Sequence, residues 1–291
     1  MFTFVALCLV ARFSYSLNDI FIGRLARRQG RVEVAAFRGT SLGVSMAPWL
    51  LLVPAHAWSA LLGQPLALLL TVGVTALANI LQLHAVRFIP FGLRAALMIC
   101  TMAACSLFIG WAALDERLTS LQVVLSIVLV ASGAAVALGT HADAEIQIDV
   151  PRGALLTLAA GTLMACAVYG VKHLARVTHP LLAAWAWEVG AGLILLGPAL
   201  IRPSTPPPAD PLARRFARVA IAALPTALAS GASILALDFG ELGLWGALGG
   251  TQILFTASLG ALWHKESLGP RRWAFMLVAA AAVAGLALAG R

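Results

Sequence analysis

Ten mostly apolar stretches of about twenty residues follow one another along the chain, separated by short polar segments. They run roughly 2–23, 33–54, 66–86, 90–113, 120–139, 153–175, 181–201, 216–237, 241–263 and 271–289. A helix needs about 20 residues to cross roughly 30 Å of hydrocarbon. Every backbone polar group at that depth must find its partner inside the protein. This pattern therefore folds as a bundle of membrane-spanning helices, an all-α integral membrane protein. The short alternating strands of a membrane barrel are absent. Composition agrees: 61% of the residues are hydrophobic and 11% charged, with a mean hydropathy of +0.92. Soluble domains carry about 25% charged residues. The opening "MFTFVALCLVARFSYSLNDIFIG" has no basic segment before its apolar run and no clear cleavage site after it, so it reads as the first span rather than a signal peptide. Cys8, Cys100, Cys105 and Cys166 lie within apolar segments and show neither metal nor disulfide spacing, which makes them small packing residues.

The longest connection, "GTHADAEIQIDVPRG", falls near the midpoint and divides the chain into halves. Shifting the sequence by 150 places Gly110, Glu116 and Leu118 on Gly260, Glu266 and Leu268. The same shift places Pro48 on Pro198 and Phe37-Arg38 on Trp187-Glu188. With a shift of 151, "ALANILQLHAVRF" (76–88) falls on "ALASGASILALDF" (227–239). The agreement predicts two repeats of five helices, 1–140 and 153–291, joined by residues 141–152. An odd number of spans per repeat sends the second into the membrane from the opposite face. The repeats are then inverted, a ground plan of secondary transporters.

The net charge of +8 lies mainly in short loops, so it orients the chain in a bilayer and gives no reason to expect nucleic acid as a partner. Thirteen Lys and Arg residues flank the ends of spans 1, 3, 5, 7 and 9, and four lie on the other side. The positive-inside rule puts the richer side in the cytoplasm and both termini outside.

The stretches "FRGTSLG", "HAVRFIPFGLRAALMICTMAACSLFIGWAALDERLTSLQVVLSIVLVASGAAVALG" and "ALDFGELGLWGALGGTQILFTASLGALWHKESLGPRRWAFMLVAAAAVAGLALAG" carry a shared pattern. An arginine stands early in the second span, an acidic residue precedes a leucine after the fourth, and the fifth is rich in small residues. The pattern returns around Glu266. In this the chain resembles the EamA-type branch of the drug/metabolite transporter superfamily. The resemblance implies ten helices, inverted halves, a central cavity and alternating access. It also implies kinship with bacterial exporters of amino acids and other small metabolites, and termini in the cytoplasm, the reverse of the charge count.

Arg38 lies about five residues, or roughly 7–8 Å, into its span. A guanidinium in hydrocarbon costs several kcal/mol. It can snorkel to the headgroups, or it can face a wet cavity and bind an anionic group. Its repeat counterpart is Glu188, whose short stem snorkels poorly and whose buried carboxylate needs a partner, water or a proton. The pair suggests a cavity with a positive and a negative pole, suited to a zwitterion such as an amino acid. Direct contact between them is compatible with this but not required. Glu188 and Asp19 are also candidates for proton coupling.

Arg12, Tyr15, Asn18 and Asp19 recur near whole turns and form a polar stripe on the first span, lining a cavity or neutralising one another locally. Asn79 and Gln82 in the third span line the cavity or bond between helices. Tyr169 and Lys172 share a face of the sixth, with Lys172 close enough to the helix end to snorkel. Arg94 can snorkel or face the cavity. Trp187 can stack on a substrate, or belong with Trp185 and Trp245 to an interfacial belt. Gln252 and Thr251 follow the small residues of "GALGG" at mid-span. Pro48, Pro198 and Pro225 are candidate kinks. Spans 5 and 10 carry almost no polar groups and read as scaffold or homodimer surface.

No protease, hydrolase, phosphate-loop or metal motif occurs, so neither catalysis nor a cofactor or metal is expected. The expected function is secondary active export of a small organic metabolite, amino acids or similar zwitterions first, across a bacterial inner membrane. Membrane lipids and the solute are the expected partners. The rival is a flippase for a lipid-like or lipid-linked amphiphile.

Overall fold

A computed structural model describes residues 1–28, 30–85, 88–89, 91–137, 149–201, 210–264 and 270–289. Among them are thirteen helices: α1 (Phe2–Arg28), α2 (Arg31–Ser45), α3 (Ala47–Leu50), α4 (Ala55–Leu62), α5 (Pro65–Ala85), α6 (Phe91–Leu114), α7 (Ser120–Ala137), α8 (Val150–Val177), α9 (Pro180–Ile201), α10 (Leu212–Phe239), α11 (Leu242–Leu248), α12 (Gly250–His264) and α13 (Pro270–Leu288). Most of the 141–152 connection, most of the proline-rich 202–211 segment, and Glu266 with its neighbours lie outside the described residues.

Six helices are long and apolar enough to cross a membrane, in α1, α5, α6, α8, α9 and α10. The ten expected stretches are thus not all met by single long helices. α7 and α13 offer only shorter apolar segments, 120–132 and 273–286. The other two stretches are interrupted. At residues 46–48 the chain reaches Pro48, which has no N–H to continue the ladder, and Trp49 bonds instead to Met46 O at 3.0 Å. Pro54 then caps an unexpected helix, α4. Its Ala57 and Leu61, four apart and so on one face, are buried, and Trp58 meets Trp185 edge-on at 5.9 Å. Within 241–263 the break falls at Gly249, whose N–H bonds to Gly246 O at 2.9 Å, a tightened turn between α11 and α12. Pro198 and Pro225 lie inside α9 and α10.

The outer surface is that of a membrane protein. Leu121, Val124 and Ile127 on α7, and Leu277 and Val278 on α13, are largely exposed, as are Leu66 and Leu69 on α5. An apolar surface of that extent faces lipid, not water. Inside, α1 packs along α10, α5 along α8, α2 along α9, α7 along α13 and α6 along α11.

α2 and α9 cross backbone to backbone. A β-carbon on Gly39 would stand 2.5 Å from the Gly192 Cα, so only glycine fits there. Gly192→Val is expected to destabilise the purified protein by about 1–3 kcal/mol or more, the cost of overpacking a tight contact. Gly73, with nothing within 4 Å of its would-be β-carbon, is the control. Gly73→Ala should leave the thermal midpoint unchanged or slightly raised. Equal midpoints for the two variants would refute the close crossing.

Candidate functional site

The α2–α9 crossing brings the two charged repeat counterparts together. Arg38 Nη2 lies 3.3 Å from Glu188 Oε2, across a separation of 150 residues. Glu188 is 2% exposed. Its second oxygen accepts from Ser230 Oγ at 2.5 Å, and the Ser230 hydroxyl lies 3.0 Å from Tyr15 OH. One chain of polar contacts therefore runs through α2, α9, α10 and α1. The two expected poles meet in this conformation and neutralise each other.

A second cluster forms beside it. Gln252 Nε2 donates to Asp19 Oδ2 at 2.9 Å, and Asp19 also lies within electrostatic reach of Arg94 and Arg38. Arg94 is 5% exposed, so it faces the interior and does not snorkel. Arg12 is 2% exposed, and its neighbours among acidic groups are Cys8 and Tyr15, not Asp19. Arg12 and Asp19 form no ion pair among the described residues. Arg12 Nη2 donates to Trp245 O at 3.0 Å, and its guanidinium carbon lies 4.1 Å from the centroid of the Trp245 ring. Asn18 is buried, with Oδ1 unbonded. The polar stripe on α1 thus faces the interior at Arg12, Tyr15, Asn18 and Asp19.

Other expected residues stand apart. Asn79 is buried and Gln82 half-buried on α5, with no hydrogen bond to this network. Half-buried Tyr169 packs against the apolar core. Trp187 and Trp245 do not form an interfacial belt: they are 6% and 3% exposed and donate through Nε1 to Thr75 Oγ1 at 2.6 Å and Ser233 Oγ at 2.8 Å. Lys172 does not snorkel either. Its Nζ lies 2.8 Å from Glu116 Oε1 and 3.0 Å from Gly240 O.

Ser230 is the residue that sequence reasoning missed, and the repeat register held the signal. Under the 151-residue shift, Ser230 and Ser233 are the counterparts of Asn79 and Gln82. The register marks both members of each pair; a hydroxyl is simply less conspicuous than an amide in an apolar span.

No match was found among curated proteins. A solved crystal structure, described only as that of a protein, shares the fold with a TM-score of 0.76 over 98% of both chains, at 13% identity. The EamA-like transporter family matches residues 151–288. That match spans just under half of the chain, is in keeping with the drug/metabolite transporter resemblance, and together with the long apolar helices is consistent with a multi-pass membrane protein.

Proposed function

We propose that the protein is a secondary active transporter that exports small organic metabolites, amino acids or similar zwitterions foremost, across a bacterial cytoplasmic membrane. The buried Arg38–Glu188 pair carries this reading. Opposite charges at repeat-equivalent positions form a site that a zwitterion can occupy by exchange. Its carboxylate replaces Glu188 at the guanidinium and its ammonium replaces Arg38 at the carboxylate. Each buried charge keeps a counter-charge throughout.

Alternating access in a pair of inverted five-helix repeats fits the helix contacts. If spans 1–5 correspond to spans 6–10, the packing of α1 on α10 and that of α5 on α8 are one contact seen twice. The α2–α9 and α7–α13 contacts are then each their own counterpart, as a pseudo-two-fold axis requires. Glu188 and Asp19 are the carboxyls placed to exchange protons with such a cycle.

The rival reading, movement of an amphiphile, is favoured by one feature. An apolar groove between α1 and α10, lined by Val10, Phe13, Leu17, Leu224 and Leu228, lies on the same helix pair as Tyr15 and Ser230. An acyl chain could lie in it.

Uptake into proteoliposomes tests both. A mixed metabolite pool is supplied outside, with and without a proton gradient, and the lumen is read by mass spectrometry. Enrichment of amino-acid-like solutes that disappears in Arg38→Ala and Glu188→Ala is the expected result. No enrichment of any soluble metabolite by folded protein would overturn it in favour of the amphiphile.

A further inference from the structure

The charges around the α1 stripe do not all pair off. Arg38 faces Glu188, and Arg94 acts on Asp19. Arg12 has no carboxylate partner among the described residues; the acidic groups near it are a thiol and a phenol. Of the three guanidiniums in this cluster, Arg12 is the one left without a carboxylate partner. A buried charge in a low-dielectric bundle calls for a counter-charge.

Arg12 also stands at an unusual backbone feature. Because Gly249 N–H turns back to Gly246 O, the Trp245 carbonyl is left for the Arg12 Nη2 donor. The guanidinium carbon lies 3.6 Å from where a β-carbon on Gly249 would be, against the junction of α11 and α12. The fifteen-residue α12 starts there, at Gly250, with the positive end of its dipole at the junction. Arg12 Nε has no hydrogen-bond partner. A buried guanidinium with an unbonded N–H and no carboxylate partner therefore stands against the start of a helix. In membrane proteins, broken helices whose ends point at anionic groups line substrate sites.

We propose that Arg12, at the α11–α12 break, is an anchor for an oxyanion, a carboxylate or phosphate group, and that the transported solute carries one. This rests on the transporter reading above and narrows it. With Glu188 satisfied by Arg38 or by an ammonium group, the solute needs an anionic group for Arg12 as well. A net anion therefore suits the site better than a zwitterion with a single carboxylate.

The test is thermal unfolding of the full chain in nanodiscs of phosphatidylcholine, where no lipid carries net charge. The probes are small mono- and dicarboxylates, amino acids including glutamate, inorganic phosphate, and the amides of the same carbon skeletons. The expected stabilisers are carboxylates or phosphate, with the amides silent. In Arg12→Met the apparent affinity for them should fall about tenfold or more, the size of a charge-assisted contact, with the midpoint of the ligand-free protein unchanged or raised. Arg12→Lys keeps the charge but loses the fork, and should retain part of the response. A response only when phosphatidylglycerol is added, lost in Arg12→Met, would assign the same oxyanion site to a lipid headgroup. Stabilisation by amides equal to that by their acids, undiminished binding in Arg12→Met, or no response to any oxyanion would overturn the proposal. Uptake of uncharged or cationic solutes, unchanged in Arg12→Met, would leave the transporter reading standing and remove Arg12 from it. Binding without uptake would do the reverse.

Discussion

Proteoliposomes carrying Glu188→Ala are expected to show solute accumulation no higher than liposomes without protein. Glu188 is the one residue that touches both arms of the central contact chain, Arg38 on α2 and Ser230 on α10. Its loss leaves the Arg38 guanidinium in the bundle without its carboxylate. Breaking a buried ion pair from one side costs about 3–5 kcal/mol, so loss of transport alone could reflect unfolding. The charge exchange Arg38→Glu with Glu188→Arg separates the two. It restores a pair at the α2–α9 crossing, and most of the thermal stability should return with it. Transport should remain lost, because the Ser230–Tyr15 arm would then face a guanidinium in place of the acceptor it now serves. Glu188→Gln keeps the acceptor for Ser230 but cannot take up an ammonium ion or exchange a proton, and is expected to fold well and transport poorly. Wild-type accumulation by well-folded Glu188→Ala would remove the pair from the transport cycle.

The sequence made the membrane class plain because hydrocarbon leaves the backbone so little choice, and apolar runs of span length follow directly. It also made the Arg38–Glu188 relation legible, since the repeat offset equals their separation in the chain. Their direct contact was not legible. It depends on Gly39 and Gly192 letting two backbones touch, and glycines are common enough here, 26 in all, that no single pair announces itself. Pro48 marked a kink near the first break, but the break at Gly249 was hidden for a related reason. Hydropathy measures how apolar a stretch is, and a tightened turn inside an apolar stretch does not change it. Lys172, Trp187 and Trp245 were misread toward the interface because position along a span was taken as depth in the membrane. Their partners, Glu116, Thr75 and Ser233, lie far away in sequence or on another helix, and only packing reveals them.

Glu116→Ala is expected to be among the most destabilising single changes in the protein, about 3–5 kcal/mol by the same one-sided loss of a buried ion pair. The geometry is set up locally. α6 ends at Leu114, and Asp115 follows with φ 51°, the left-handed conformation that closes many helices. Glu116 N–H then reaches back to Gly110 O at 3.0 Å. That turn carries the Glu116 carboxylate inward, where Oε1 accepts from Lys172 Nζ at 2.8 Å and Leu242 N at 2.7 Å, and Oε2 from Gly243 N at 3.0 Å. One side chain thus caps α11 and neutralises a lysine on α8 that is 3% exposed. Gly110 makes room for it: a β-carbon there would stand 2.3 Å from Glu116 Oε2 and 3.4 Å from Gly243 N. Gly110→Ala, which removes no charge and no hydrogen bond, should therefore reproduce much of the Glu116→Ala loss. Asp115→Gly should be neutral or mildly stabilising, since glycine adopts positive φ without strain. Glu116→Gln combined with Lys172→Met removes both charges and should recover part of the loss, because no unpaired ammonium remains. Thermal unfolding of the four purified variants decides the matter. A Gly110→Ala midpoint equal to wild type would show that Glu116 is not held as described, and a double variant no better than Glu116→Ala would show that capping of α11, rather than the lysine's charge, dominates the cost.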